Sequence, residues 1–228
     1  MKAGPAKLRS ASDLSLTSAV HWLVFGRGVP ACCGLALATR MLRLLCLPGF
    51  RQSAQSLKVS STSLQTALAP EQAELVFTEA ARINNKQCWW DASDSEPPAY
   101  VGVQDSLQRL SDTWNAEGPF DGVVGFSQGA AMVSLVSSCP PSDFPGLRLA
   151  VMIGGFVPRD PLVNFAPRAG VRSLHIIGSL DNIVTPERSL ALAHSFDERQ
   201  IVEHREGHVV PSDEVSMLAI KDWIASSQ

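Results

Sequence analysis

Leu42-Arg43-Leu44-Leu45-Cys46-Leu47 is the first of several short apolar runs spaced along the chain. The others are Ala73-Glu74-Leu75-Val76-Phe77, Phe120-Asp121-Gly122-Val123-Val124, Arg148 to Gly154, Val171 to Gly178, and Gln200-Ile201-Val202-Glu203-His204. Runs of this length, bounded by turn residues, predict buried strands. The intervening segments carry a helical period. Ala54 to Leu68 predicts a helix that stops before Pro70. Tyr100 to Trp114 places Val103, Leu107, Leu110 and Trp114 on one face, which predicts an amphipathic helix. Ala130 to Val136 reads as a buried helix. Thr185-Pro186-Glu187 reads as a helix start, with Thr185 as N-cap and Pro186 in the first turn. A last amphipathic helix is capped by Ser212 or Asp213 and runs through Trp223. Strands alternating with helices predict an α/β architecture, a mostly parallel central sheet covered by helices on both faces.

Two segments lack a period. Thr78 to Ala99 holds Trp89-Trp90, ends in Glu96-Pro97-Pro98, and is expected to be a loop beyond the carboxyl ends of the strands, where substrates bind in such sheets. Adjacent residues rarely face the same way, so one tryptophan is expected to be more exposed and to line a substrate pocket. Trp89 and Trp90 are therefore both substrate-binding candidates, with core packing as the other reading. Phe156 to Gly170 contains three prolines and is too short for a large cap domain.

Composition narrows the picture. A chain of 228 residues suits one globular core. A net charge of −3, with no basic stripe, gives no footprint for nucleic acid. The five cysteines, at 32, 33, 46, 88 and 139, show no zinc spacing; their odd number predicts reduced thiols and an intracellular, cytoplasmic protein. Residues 1–41 read as an N-terminal extension and 42–228 as the folded domain. The extension carries Lys2, Lys7, Arg9, Arg27 and Arg40 against Asp13, as an organellar transit peptide would (mitochondrion or plastid). A secretory signal and an unstructured extension are the competing readings, and lipidation of the Cys32-Cys33 pair is a weaker one. No run of about 18 apolar residues predicts a stable membrane span.

The strongest chemical signal is Gly125-Phe126-Ser127-Gln128-Gly129, a G-x-S-x-G motif between a predicted strand and a predicted helix. That context is a nucleophile elbow: the turn lifts the serine hydroxyl clear of the backbone, and the glycines let strand and helix approach closely. The N–H groups at the helix start face the place where negative charge builds in acyl transfer. In the α/β-hydrolase fold the acid and then the histidine follow the serine along the chain. Asp181, on the loop after Val171 to Gly178, fits the acid, though turn chemistry alone also favours aspartate there. His208, on the loop after the last strand, fits the base. His204 is its rival, at the end of the strand rather than beyond it. Catalytic candidates are thus Ser127, Asp181 and His208. The oxyanion-hole candidates are the backbone N–H groups of Gln128 and of Phe50, in the Pro48-Gly49-Phe50-Arg51 loop after the first strand.

Leu45 to Ser53, Gly118 to Ala131, Ser173 to Gly178 and Gly207-His208 together resemble the family of serine hydrolases abbreviated FSH. Trp89-Trp90 is similar to a feature of its esterase branch named after ovarian-cancer-associated gene 2. The resemblance runs from about Leu42 to the C-terminus. It implies a compact α/β-hydrolase acting on carboxylic esters, with fungal relatives that are thioesterases releasing polyketides. It places nucleophile, acid and base on Ser127, Asp181 and His208. Three positions depart from the common pattern: Pro48 stands where histidine is frequent, Ser179 where the acid loop often has aspartate, and Glu206 where glycine often precedes Gly207-His208.

The expected activity is ester hydrolysis through a covalent acyl-enzyme, on a small-molecule acyl ester or thioester, with no cofactor and no metal. A thioesterase releasing acyl or polyketide chains is the alternative. A non-catalytic binding protein on the same fold is another, against which the intact three-residue set argues.

Overall fold

The computed structural model describes residues 41–68 and 72–228. The extension expected over 1–41 lies outside them, Met41 aside, as does Pro70.

The elements in chain order are β1 (Leu42–Leu47), α1 (Ala54–Ser60), α2 (Thr62–Leu68), β2 (Ala73–Phe77), β3 (Arg82–Ile83), β4 (Lys86–Gln87), β5 (Asp91–Ala92), β6 (Tyr100–Val101), α3 (Val103–Glu117), β7 (Gly122–Phe126), α4 (Gln128–Val136), β8 (Leu149–Ile153), β9 (Arg172–Gly178), α5 (Pro186–Ala193), β10 (Arg199–His204) and α6 (Glu214–Ala225). Six strands form one parallel sheet in the order β10-β9-β8-β7-β1-β2.

The period-2 alternation of each strand divides the core into two layers. Leu42, Leu44 and Cys46 of β1 pack with Val124, Val151, Leu174 and Ile176 under α1, α2 and α6. Leu45 and Leu47 point the other way and join Val123, Ala150 and Met152 under α3, α4 and α5. Strands buried on both faces read as unbroken apolar runs, as the central β7 and β8 do.

The strand order places the site. The chain leaves β1 toward the β2 edge and returns to β7 on the other side of β1. Crevices form at such reversals, outside the carboxyl ends of the strands. Leu47 stands opposite Gly125 in register, so the loop after β1 lies beside the elbow after β7.

Three stretches differ from their sequence reading. Tyr100 and Val101, expected to open a helix, form β6, and α3 begins at Val103. The helix expected over Ala54 to Leu68 is interrupted at Ser61. There Ser60 and Ser61 hydroxyls donate to Leu57 O at 3.1 and 2.8 Å, and Thr62 Oγ1 donates to Val59 O at 2.8 Å. Hydroxyls bonding back to helix carbonyls compete with the ladder. The aperiodic Thr78 to Ala99 segment contains β3–β4 and β5, which pairs with β6, both antiparallel ribbons. The β3–β4 turn is Asn84-Asn85, at φ 49° and 61°. Two asparagines in the left-handed region make a tight two-residue hairpin.

Candidate active site

Ser127 follows the last residue of β7 and precedes the first of α4, at φ 55° and ψ −117°. The flanking glycines are required at this bend. A Cβ on Gly125 would lie 2.3 Å from Gly129 O, and one on Gly129 would lie 2.2 Å from Leu47 O. Ser127 N–H donates to Ile153 O at 2.9 Å, tying the bend to β8. Its hydroxyl does not cap α4 and has no hydrogen-bond partner among the described residues.

The N–H groups of Gln128 and Phe50 also have no partner among the described residues. The Phe50 loop is held in shape around its own N–H: Gly49 N–H donates to Gln52 Oε1 at 2.8 Å, and Gln52 N–H to Gly49 O at 3.1 Å. A Cβ on Gly49 would sit 3.3 Å from the Ser127 Cβ, so this loop lies against the elbow.

Asp181 lies on the loop after β9 and is buried. Its Oδ1 accepts the N–H groups of Ile183 and Val184, both at 2.9 Å. Its Oδ2 is 2.6 Å from His208 Nδ1. An ionised carboxylate only accepts, so Nδ1 donates to it, and in the neutral imidazole Nε2 then keeps its lone pair. The His208 ring packs on Phe126, centroids 4.9 Å apart. Gly154, at φ 57° after β8, lies against this pair, where a Cβ would meet His208 Cε1 at 3.0 Å. Gly178 is similarly constrained, its Cβ position being 2.4 Å from Gly207 O.

His204 has a different environment. Its Nδ1 accepts the Glu206 N–H at 3.3 Å, and its buried Nε2 has no partner. Burial pushes its pKa down. It makes no contact with a carboxylate like that of His208.

A cavity of ≈ 430 Å³ opens at Ser127, with Phe50, Trp90, Tyr100, Phe156 and Val184 among its walls. The Trp90 and Tyr100 rings stack at 4.6 Å, and Phe156 meets Trp90 edge-on at 6.4 Å. The expectation that one tryptophan is more exposed is corrected: both are 2% exposed. They separate by direction instead. Trp90 lines the cavity, whereas Trp89 turns into the core, where its indole N–H donates to Pro48 O at 2.7 Å. A second cavity, of ≈ 330 Å³, lies between α3 and the segment after α4, away from Ser127.

Several positioning groups were not read from the sequence. The buried Gln128 side chain accepts the Trp89 N–H at 3.1 Å and donates to Trp90 O at 2.8 Å, clamping both tryptophans to the elbow. Buried Asp160 accepts the N–H groups of Tyr100 at 2.6 Å and Leu162 at 2.8 Å. It thereby fastens the segment after β8 to the aromatic wall. The Gln128 bonds and the Asp160–Tyr100 bond have no local signal, since they join residues far apart in sequence. Among the described residues no cluster of His, Cys, Asp or Glu side chains could hold a metal ion.

A parallel sheet with helices on both faces, and an elbow serine at the carboxyl ends of its strands, define an α/β-hydrolase. Solved structures agree on the fold: maize (Zea mays) acyl-protein thioesterase 2 (TM-score 0.65, 18% identity, 82% of this chain and 94% of that one) and a Bacillus cereus carboxylesterase (TM-score 0.60, 18% identity, 82% and 89%). Residues 38–219 match the family described as Serine hydrolase (FSH1), and the chain belongs to that family. Among its relatives are Esterase OVCA2 of Bos taurus, 31% identical over 211 residues (77% of this chain, 92% of that protein), and Esterase OVCA2 of Homo sapiens, 32% identical over the same length and shares. The chain is a serine hydrolase.

Proposed function

We propose that this protein hydrolyses carboxylic esters through a covalent acyl-enzyme on Ser127. The observation that carries the reading is the 2.6 Å Asp181–His208 contact, on loops at the same sheet edge as the strained serine. Ser127 Oγ attacks the ester carbonyl carbon while His208 Nε2 takes its proton. Asp181 fixes the Nδ1–H tautomer and stabilises the imidazolium. The tetrahedral oxyanion is received by the Phe50 and Gln128 N–H groups. Collapse expels the alcohol, protonated by His208. Water then attacks the acyl carbon, giving its proton to His208, which returns it to Ser127 Oγ as the acid leaves. The Ser127 hydroxyl, without a partner among the described residues, forms its hydrogen bond to His208 Nε2 as the Michaelis complex forms. The relatives' name, esterase, and the apolar aromatic wall of the cavity support an acyl substrate.

The test is labelling with a fluorophosphonate, with mass mapping of the adduct, beside hydrolysis of a panel of para-nitrophenyl esters and thioesters. The adduct is expected on Ser127. Ser127→Ala should lose it and lower kcat on the order of 10⁴-fold or more. A folded wild-type protein that takes no label and turns over no ester would instead be a binding protein.

A further inference from the structure

The chain is acidic overall, at −3, but the cavity holding Ser127 is not. Lys86, Arg159 and Arg188 line it, and Asp91 is the carboxylate among the described lining residues. Asp91 is already neutralised: Lys86 Nζ reaches both its oxygens, at 2.7 and 3.0 Å, and Asn84 donates to it at 3.0 Å. Arg159 has Glu96 at 3.5 Å, an exposed pair in which both charges remain hydrated. Arg188 is exposed too, but it differs from both in its partners. Among the described residues it has no carboxylate partner. Yet its guanidinium is held in place, 5.0 Å over the Phe156 ring, with Nη1 donating to Ile183 O at 3.1 Å. A guanidinium has five N–H donors in a rigid fork, and among the described residues one of them is used. A fixed cation with free donors, beside an aromatic wall, suits a carboxylate or phosphate attached to an apolar chain.

We propose that Arg188 is a specificity residue that reads an anionic group on the ester or thioester bound at Ser127. The inference rests on the hydrolytic reading above for the identity of the bond cleaved, but not for the recognition of the anion. The anion could stand on the acyl chain, as a second carboxylate, or on the leaving group, as a phosphate.

Two substrate pairs separate these sources. Mono-para-nitrophenyl adipate against para-nitrophenyl hexanoate places a carboxylate on the acyl side. Hexanoyl-coenzyme A against S-hexanoyl-N-acetylcysteamine places phosphates on the leaving group. In at least one pair the anionic member should have the higher kcat/KM. Arg188→Gln should reduce that preference about 5- to 10-fold, the effect of removing one charge-assisted contact at a cavity mouth. Arg188→Lys should restore part of it. Rising ionic strength should shrink it, which loss of the Phe156 stacking alone would not cause. Calorimetry on Ser127→Ala, with monomethyl adipate against methyl hexanoate and coenzyme A against N-acetylcysteamine, reads the same preference without turnover. Anion-selective binding lost in the Ser127→Ala/Arg188→Gln pair would uphold the inference even if no ester were hydrolysed. Hydrolysis of the neutral esters with no anion preference would overturn it while leaving the hydrolytic reading intact. A preference unchanged in Arg188→Gln, or neither binding nor turnover of any anionic member, would also overturn it.

Discussion

Ser127 adopts a backbone conformation that costs a non-glycine residue roughly 1–2 kcal/mol. The bend is over-determined by its neighbours: Gly125 and Gly129 have backbone where a Cβ would be. The same logic applies to Gly154, which the motif does not include. Gly154→Ala would place a methyl 3.0 Å from His208 Cε1 at a φ of 57°. Circular dichroism should show a folded protein with kcat reduced on the order of 10-fold or more, because a displaced imidazole misaligns proton transfer. Unchanged kcat would mean the ring position is not critical. The two histidines make a second prediction. His208→Ala should abolish esterase activity, whereas His204→Ala should retain most of it, since only His208 contacts Asp181. Rate constants for both variants on one para-nitrophenyl ester decide this, and a reversed ranking would move the base to His204.

At the scale of elements, the site is a set of loops gathered by parallel strands. β1, β7, β8, β9 and β10 each deliver a segment to the same edge. What holds the aromatic wall to the elbow is the Gln128 amide, bonded to the Trp89 N–H and the Trp90 carbonyl. Gln128→Ala leaves two buried backbone groups without partners, a cost of about 2–4 kcal/mol. The backbone N–H at 128 is retained, so KM should rise more than kcat falls. Urea denaturation and steady-state kinetics together check this; an unchanged midpoint and KM would show that the clamp is dispensable. The β3–β4 ribbon was legible in principle from its turn, Asn84-Asn85. With strands only two residues long, however, no alternation was available to read.

At the scale of the whole molecule, the sheet buries a titratable group. His175, in β9, lies among apolar neighbours, with Nε2 3.1 Å from Ser173 Oγ and its ring edge-on to Phe196 at 5.3 Å. Burial pushes its pKa down to about 3 from an ordinary 6.5. Between these values the unfolded chain binds a proton that the native state does not. Stability is therefore fully present above the unfolded pKa and falls as pH drops through this window, by about 1.4 kcal/mol per pH unit. Buried His204, also shifted down, adds to the same slope. Urea denaturation at a series of pH values from neutral to mildly acidic should show His175→Leu with a shallower acid dependence than wild type. Parallel curves would place the acid sensitivity elsewhere.

The amino-acid sequence by itself determined most of what is local. Apolar runs marked each strand of the main sheet to within about two residues, most cleanly at the central β8, which is buried on both faces and has no polar position to interrupt it. The elbow was legible because its glycines answer a steric demand within five residues. The order of Ser127, Asp181 and His208 followed from where loops must leave parallel strands. Tertiary structure decided what depends on residues distant in sequence. It paired Asp181 with His208 rather than with His204, turned Trp90 into the cavity and Trp89 into the core, and set Gly154 beneath the imidazole. It also broke the 54–68 helix at Ser61, where hydroxyl-to-carbonyl bonding outweighed helix periodicity. The cations of the cavity come from three separate segments, at 86, 159 and 188, and no local pattern joins them. Periodicity reports which face of an element is buried; which partner it meets there is fixed only when the sheet brings distant loops to one edge.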